Sequence, residues 1–277
     1  MNERKVDFAV KRTRKLDPLE NAMQLLFFLC GAVAVAFVLV ITVYLVVSGL
    51  PAIQKVGLGN FLLGTTWDSA NKTDPQYGIL PFILTSIYGT AGAILIGVPV
   101  GFMTAMFLAK AAPPKLAAVV RPAVDLLAGI PSVVYGMVGM VVLLPGIRGL
   151  FHLKAGDTLL AAILVLAVMI LPSIISVSET ALRAVPREYE EASLALGATE
   201  METYFRVSAP AAKSGIAAAV VLGVGRAIGE AMAIIMVAGN VSNMPGLFTP
   251  VRFLTTGIVS GMAYARVGSL YHQALYS

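Results

Sequence analysis

Residues 159–177 read LLAAILVLAVMILPSIISV, a run that contains no charged side chain. An α-helix needs about 20 mostly apolar residues to cross the hydrocarbon core of a bilayer. Other stretches meet the same requirement, namely Leu25–Val47, Ile79–Leu108, Pro122–Ile147 and Pro210–Val237. The sequence therefore predicts an all-α protein, a polytopic helical bundle with five transmembrane spans.

Composition agrees with a membrane protein and argues against a water-soluble one. Hydrophobic residues make up 58% of the chain and charged residues only 13%, whereas a soluble domain carries about 25% charged residues. The net charge of +5 does not indicate nucleic-acid binding, because the basic residues fall in short groups between apolar segments. The first apolar stretch is longer than a signal-peptide core of about 7–15 residues, so we interpret it as an uncleaved span.

The positions of lysine and arginine predict the orientation in the membrane. These residues are concentrated in segment 1–24 and in the loops that follow the second and fourth predicted spans. Loops rich in lysine and arginine are usually cytoplasmic, so we expect a cytoplasmic N-terminus. Segment 25–78 then holds the first span and an outer loop. Segment 79–277 forms the core of the protein, with a cytoplasmic loop at 178–210.

The chain lacks the short motifs that mark common catalytic, nucleotide-binding and metal sites. It contains no G-x-x-x-x-G-K-[ST], no H-E-x-x-H and no C-x-x-C, the patterns of phosphate-binding loops, zinc proteases and redox or metal pairs. His152 and His272 are isolated, and the single cysteine, Cys30, lies in an apolar stretch. We therefore expect no catalytic residue, metal or cofactor here. If transport uses ATP, the ATP and Mg²⁺ belong to a partner subunit.

The loop between the fourth and fifth predicted spans carries the most informative motif. Residues 186–210 read PREYEEASLALGATEMETYFRVSAP. Pro186 suits the first turn of a helix, the glutamates after it lie where the helix dipole favours them, and Gly197 is a residue at which helices end. The pattern predicts a helix–turn–helix that presents a short surface helix for docking.

This loop resembles the E-A-A-x3-G-x9-I-x-L-P pattern of MetI-like permeases of bacterial ABC importers. The positions that match it or depart from it mildly are Glu191, Ala192, Ser193, Gly197, Val207, Ala209 and Pro210. The departures are small changes of size, with serine, valine and alanine in place of alanine, isoleucine and leucine. The resemblance implies that the loop is a coupling helix, which docks on an ATP-binding subunit.

Other stretches resemble the PstC-type permease of the phosphate-specific transport system. They are 67–68 with 77–81, 127–136, 191–210, and 225–233 with 237–240. The resemblance implies an importer of inorganic phosphate in the bacterial inner membrane. It also implies a second homologous permease, two ATP-binding subunits and a periplasmic or lipid-anchored phosphate-binding protein as partners. The alternatives are an importer of molybdate, sulfate or an organic solute, a self-contained secondary carrier, and a membrane scaffold without transport.

Arg226 and Glu230 place two charges inside the fifth predicted span, four residues apart. A charge at the bilayer centre costs about 2.5–3.5 kcal/mol, so both side chains should face the protein interior or water. Their spacing puts them on one helical face and predicts an ion pair. Two roles stay open: a salt bridge that fixes the span, or a gate in which Arg226 binds phosphate oxygens. The resemblance associates these positions with translocation.

The third predicted span contains Gly129-Ile130-Pro131-Ser132, which weakens a helix. The result is either a packing kink or a half-helix N-terminus that faces an anion. Asp125, one turn earlier, is a further candidate for the translocation pathway and is expected to pair with a basic group near the cytoplasmic face. Glu179 and Arg183, four residues apart, are expected to form an ordinary ion pair.

The last part of the chain raises two further expectations. Gly225 and Gly229 have the spacing of a helix-packing face. After them, 238–277 contains no clean span. The resembling permeases have a sixth span beyond the position of Ser277, so the resemblance implies that one helix of the family fold is missing from this sequence.

Overall fold

The computed structural model describes residues 18–69, 71 and 75–277, so most of the predicted basic segment 1–24 lies outside the described residues. The described part is mostly helical, with one short antiparallel pair of strands. In chain order the elements are α1 (Pro18–Val56), α2 (Leu58–Leu63), β1 (Trp67–Asp68), β2 (Gln76–Tyr77), α3 (Leu80–Met106), α4 (Pro114–Gly129), α5 (Ser132–Val138), α6 (Leu144–Leu150), α7 (Leu159–Arg183), α8 (Arg187–Ala195), α9 (Glu200–Thr203), α10 (Ala209–Ala211), α11 (Lys213–Gly229), α12 (Met232–Val237), α13 (Leu254–Met262) and α14 (Leu270–Tyr276). Short π-helical segments, Phe107–Ala111, Gly139–Leu143 and Tyr204–Ser208, continue α3, α5 and α9.

The bundle is organised around α7, which is enclosed by α3 on one side and α11 on another. Leu166, Ile170 and Ile174 of α7 are fully buried. A helix that is apolar on all sides is normally surrounded by other helices or by lipid. Thr158 marks its start, because the Thr158 hydroxyl accepts a hydrogen bond from the Ala161 N–H at 3.2 Å.

Helix α3 approaches α7 closely at three glycines, the first of which is Gly92, where an added β-carbon would lie 2.7 Å from the Ile163 side chain. A β-carbon built on Gly97 would lie 2.6 Å from the Ile170 side chain, and one on Gly101 would lie 2.8 Å from Ile174. Carbon atoms do not pack at such distances, so only glycine fits where the two helices cross. Small residues are the usual means of bringing membrane helices together.

Four helices in the described part of the chain are long and apolar enough to cross a membrane. They are Glu20–Val56, Leu80–Ala111, Ser132–Leu150 and Leu159–Arg183. A fifth span is counted only if Glu200–Ala211 and Lys213–Gly229, which meet at a bend of 74°, are taken together. The predicted number of apolar segments agrees with this upper count, but several boundaries differ. The first helix begins before Leu25, and the fourth continues past the expected start of the loop at 178.

The boundaries predicted for the third span, 122–147, are wrong. The chain leaves the helical conformation at Ile130, whose ψ is 127°, and enters a new helix at Ser132. Pro131 explains the break, because a residue that precedes proline is driven into the extended conformation. Helix α4 is therefore a separate element, and the spanning helix runs over Ser132–Leu150.

The fifth predicted span, 210–237, is not one helix. The chain bends at Ala212, where α10 gives way to α11. Helix α11 then ends at Gly229, and Glu230 is extended with φ −75° and ψ 130°. A new helix, α12, begins at Met232. This second break changes the geometry expected for Arg226 and Glu230.

Helix α1 lies at the edge of the bundle, and none of its most apolar window is buried. Its C-terminal half contacts α14, the last helix of the chain. The Ser277 hydroxyl donates a hydrogen bond to the Gly49 carbonyl at 2.7 Å. Phe61, Tyr77 and Ala274 form a small buried cluster beside this contact. The C-terminal helices thus fix the end of α1 and the outer loop that follows it.

Candidate functional site

The loop after α7 contains the predicted helix–turn–helix. Helix α8 ends at Ala195, and Gly197 has a φ of 89°, which is the left-handed conformation that favours glycine at the end of a helix. Helix α9 follows with a complete capping box, in which Thr199 and Glu202 each bond to the backbone of the other. Two short helices therefore meet at a tight turn, although the loop begins only after Arg183.

The tip of this loop is unusually apolar for an exposed surface. Leu196 is 91% exposed, and Tyr189, Leu194 and Met201 are also exposed. An exposed apolar patch of this kind marks a surface that another protein covers. Of the positions that match the motif, Glu191, Ala192 and Gly197 are exposed on the same segment. The surface formed by 189–201 is called the docking surface below.

Ser193 and Val207 depart from the pattern, and the structure explains the first departure. The Ser193 hydroxyl lies 2.9 Å from the Thr203 hydroxyl and shares a hydrogen bond with it. This bond joins α8 to α9, so serine adds a contact that alanine lacks. Val207 is half-buried in the π-helical segment, and Pro210 lies in α10 just before the 74° bend.

Lys110 and Glu190 tie the docking surface to the end of α3. The Lys110 ammonium group contacts Glu190 Oε1, and only 10% and 17% of these side chains are exposed. The Ser208 hydroxyl donates to the same carboxylate oxygen at 2.6 Å, and the Tyr204 hydroxyl donates to the Lys110 carbonyl at 3.3 Å. Sequence reasoning did not predict this contact, because no pattern connects these positions.

The surroundings of Glu190 favour its charged form. Partial burial acts to raise the pKa of this carboxyl group. The hydrogen bonds from Lys110 and Ser208, with the positive charges of Lys110 and Arg187, outweigh it and hold the pKa below its usual value. Glu190 is therefore an anionic anchor for α8 at neutral pH.

A second ionic group joins α3, α4 and α7 near the start of the loop. Glu179 Oε1 accepts a hydrogen bond from Arg121 Nε at 2.6 Å and forms an ion pair with Arg183, whose Nε lies 3.0 Å away. Arg121 Nη2 also donates to the Leu108 carbonyl at 3.1 Å. The predicted pair between Glu179 and Arg183 is confirmed, and Arg121 extends it to two more helices.

Asp125 lies on α4 beside this group but is exposed. Among the described residues it forms no ion pair with an N···O distance of 4.0 Å or less. The predicted pairing is wrong, because Arg121 and Arg183 are both engaged by Glu179, which is the more buried carboxylate. Asp125 instead lines a cavity of about 240 Å³ with Arg121, Arg183 and Glu179.

The two helix breaks lie close to each other. Helix α12 packs on α5, and a β-carbon on Gly136 would lie 2.9 Å from the Ala233 α-carbon. The first break is stabilised by Tyr135, whose hydroxyl donates to the Leu127 carbonyl at 2.7 Å across it. The Leu127 carbonyl also accepts a hydrogen bond from the Ile130 N–H at 3.3 Å, so the tyrosine adds a second bond at the end of α4. The structure therefore brings 129–132 and 230–231, far apart in sequence, into one region.

Arg226 and Glu230 do not form the predicted ion pair. Because Glu230 is extended, the spacing of four residues no longer places the two side chains on one helical face. Glu230 Oε1 accepts a hydrogen bond from the Ala233 N–H at 2.9 Å and so caps α12. The Thr255 hydroxyl donates to the Glu230 carbonyl at 2.7 Å, which attaches α13 to the same break.

Arg226 is left half-exposed in the last turn of α11. Within residues 18–69, 71 and 75–277 its side chain has no ion pair or hydrogen bond, and its charge interacts with Tyr135. An unpaired guanidinium beside two helix breaks is available to bind an anion.

The glycines predicted to pack helices together do not pack within this chain. No atom of the described residues lies within 4 Å of a β-carbon built on Gly225 or Gly229, and the same holds for Gly129. Both α11 glycines are exposed. Gly136, which sequence reasoning left without a role, supplies the close helix contact instead.

Residues 97–266 match the family described as the inner membrane component of binding-protein-dependent transport systems. The chain belongs to this family. The matched residues include α7, the docking surface, Arg226 and Glu230. The permease is thus a component of a transport system that works with a binding protein.

Relatives of the permease agree with this assignment. A probable ABC transporter permease protein of Bacillus subtilis, YqgH, is 39% identical over 270 residues, which cover 96% of this chain and 86% of that one. The phosphate transport system permease protein PstC of Haemophilus influenzae is 38% identical over 259 residues, 85% of this chain and 79% of that one. The corresponding protein of Mesorhizobium japonicum is 36% identical over 236 residues, 78% and 71% of the two chains.

A solved structure supports the MetI-like fold. The inward-facing MetNI methionine ABC transporter matches 72% of this chain and 84% of its own, with a TM-score of 0.50 and 24% identity. The permease therefore has the helical fold that the sequence resemblance implied.

Proposed function

We propose that this permease is one membrane subunit of an ATP-driven importer of inorganic phosphate. The proposal rests on relatives named as phosphate transport system permeases, which are 36–38% identical to this chain over most of its length. A binding protein outside the membrane delivers phosphate, and this permease pairs with a second, similar permease. Two ATP-binding subunits hydrolyse ATP on the cytoplasmic side, where the N-terminus also lies.

The docking surface is the part of the permease that the ATP-binding subunit engages. Its exposed leucines and tyrosine offer apolar area to a cleft, and the Gly197 turn holds the two short helices at a fixed angle. Movement of this surface reaches α3 through Glu190 and Lys110. It reaches α4 and α7 through the Arg121–Glu179–Arg183 group.

Arg226 is the residue proposed to meet phosphate inside the membrane. A guanidinium presents two parallel N–H donors that match two oxygens of a phosphate group. Its side chain is not occupied by a carboxylate among the described residues. The neighbouring breaks at 129–132 and 230–231 interrupt two helices beside Arg226, and transporters often place substrate sites at such interrupted helices.

The test is ATP-dependent uptake of radiolabelled phosphate by vesicles that contain the permease with its partner subunits. The informative variant is Gly197→Pro, because proline cannot adopt a φ of 89° and removes the Gly197 N–H that bonds the Leu194 carbonyl at 2.9 Å. Gly197→Asn is the matched control. Asparagine tolerates the left-handed conformation, and apart from the chain neighbours of Gly197 no described residue places an atom within 4 Å of a β-carbon there.

We expect ATP-driven uptake in the wild type and in Gly197→Asn, and loss of uptake in Gly197→Pro while the complex still assembles. Uptake that continues without the ATP-binding subunits would contradict the importer mechanism and favour a secondary carrier. Uptake of sulfate or molybdate, but not of phosphate, would keep the mechanism and change the substrate.

A further inference from the structure

A cavity of about 770 Å³ lies at the end of the spanning helix Ser132–Leu150, outside every site described above. Arg148, His152 and Lys154 line one cavity together. All three side chains are exposed. The cavity is formed by the last turns of α6 and the turn 151–156 that leads towards α7.

Local backbone geometry explains why three basic side chains meet here. The Phe151 N–H bonds the Ile147 carbonyl at 3.0 Å, and the Leu153 N–H bonds the Arg148 carbonyl at 3.1 Å. His152 between them has a φ of 52°, a left-handed conformation that is uncommon for residues other than glycine. The chain therefore reverses sharply and brings His152 and Lys154 back beside Arg148.

The return path is held against α6 by Gly156. A β-carbon at this position would overlap the Leu144 carbonyl, so only glycine permits the turn to lie directly on the helix. Leu144 of α6 and Met140 of the preceding π-helical segment also line the cavity. The basic groups consequently surround a floor that is partly apolar.

The charges in this cavity are not compensated by the protein. Among the described residues, the side chains of Arg148, His152 and Lys154 form no ion pair and no hydrogen bond, and no carboxylate lines the cavity. A basic side chain in the last turn of a helix is favoured by the helix dipole. The helix dipole therefore explains Arg148 alone. It does not explain why the side chains of His152 and Lys154 lie beside Arg148.

Position and size indicate the ligand. The cavity is at the end of a membrane-spanning helix, the depth at which lipid headgroups lie. Cavities of about 300–1,000 Å³ hold ligands much larger than a single inorganic ion, and guanidinium and ammonium groups form charge-assisted hydrogen bonds to phosphate oxygens. We propose that Arg148, His152 and Lys154 bind the phosphodiester headgroup of an anionic phospholipid, whose glycerol and acyl chains contact Met140 and Leu144.

Native mass spectrometry of the purified transporter, titrated with phosphatidylglycerol, tests this proposal. The test variant is Arg148→Gln with Lys154→Gln. The matched control is Arg266→Gln with Lys213→Gln, which removes one arginine and one lysine charge from exposed positions outside the cavity. We expect the test variant to bind phosphatidylglycerol about thirtyfold more weakly, because it has lost two cations that would attract the anionic headgroup. The control should bind the lipid as the wild type does.

The wild type alone supplies a second measurement, which does not depend on whether the variant assembles. Phosphatidylcholine, which has no net charge, should compete poorly for the site, and inorganic phosphate should not displace phosphatidylglycerol. Equal binding of the two lipids, or equal losses in the test and control variants, would overturn the proposal. Displacement by inorganic phosphate would assign the cavity to the free ion instead of lipid.

Discussion

The contact between Lys110 and Glu190 offers the most direct test of how the docking surface acts on the spans. Lys110→Met removes the ammonium group but keeps an unbranched side chain of similar length. Glu190 then loses its cationic partner while it remains only 17% exposed. Among the described residues, the Ser208 hydroxyl is then the only group that still donates a hydrogen bond to the Glu190 carboxylate.

The size of the effect follows from the geometry. A hydrogen bond to a charged group contributes about 1.5–3 kcal/mol, and each 1.4 kcal/mol corresponds to about a tenfold change in an equilibrium. The population in which α8 is held against the end of α3 should therefore fall by about tenfold to hundredfold. ATP hydrolysis on the partner subunits should continue, because the docking surface itself is intact.

The assay is the ratio of phosphate taken up to ATP hydrolysed in proteoliposomes. We expect this ratio to fall in Lys110→Met and to be largely restored in Lys110→Arg. Lys115→Met is the matched control, since Lys115 is exposed in the first turn of α4, five residues away, and forms no ion pair with a described residue. If the contact acts as a unit, adding Glu190→Gln to Lys110→Met should cause little further loss. A wild-type ratio in Lys110→Met would refute the idea that this contact transmits the movement.

Three further predictions concern the breaks and the docking surface. Arg226→Ala should abolish phosphate uptake while the complex still assembles in size-exclusion chromatography; failure to assemble would favour a structural role. Glu230→Gln should keep nearly normal thermal stability, because an amide oxygen still caps α12. Glu230→Ala should lose about 1 kcal/mol of stability, the usual value of a lost cap. Equal losses in the two variants would show that the charge of Glu230, and not its cap, is what matters. Because the pKa of Glu190 is lowered in the folded state, its contribution is complete above the usual glutamate value of 4.5 and is lost as pH falls through the lowered value. A nitroxide at Leu196, in a Cys30→Ser background, should therefore become more mobile only in acid, and mobility independent of pH would contradict the anchor.

Local features of the structure could be predicted from the sequence because each depends on a few neighbouring residues. The apolar runs indicated the spans, since a helix in lipid must cover its backbone with apolar side chains. Gly197 indicated the turn between α8 and α9, since glycine adopts a left-handed φ without strain. The pair of Glu179 and Arg183 followed from helical spacing alone. The Gly-Ile-Pro-Ser stretch also indicated a weak point, although its full effect on the span was underestimated.

The contacts that connect these parts depend on the tertiary structure. Arg121 reaches Glu179 from 58 residues away, and Lys110 reaches Glu190 only because the loop folds back onto the end of α3. Spacing predicted that Arg226 would pair with Glu230, but that inference assumed a continuous helix. The break after Gly229 instead lets the Glu230 carboxylate accept from the Ala233 N–H, while the Thr255 hydroxyl of α13 donates to the Glu230 carbonyl. The sequence by itself determined the apolar runs and where the turn of the docking surface lies, because those depend on local transfer and backbone energies. Which charged side chains remain unpaired among the described residues was decided only when distant helices came together and paired the others.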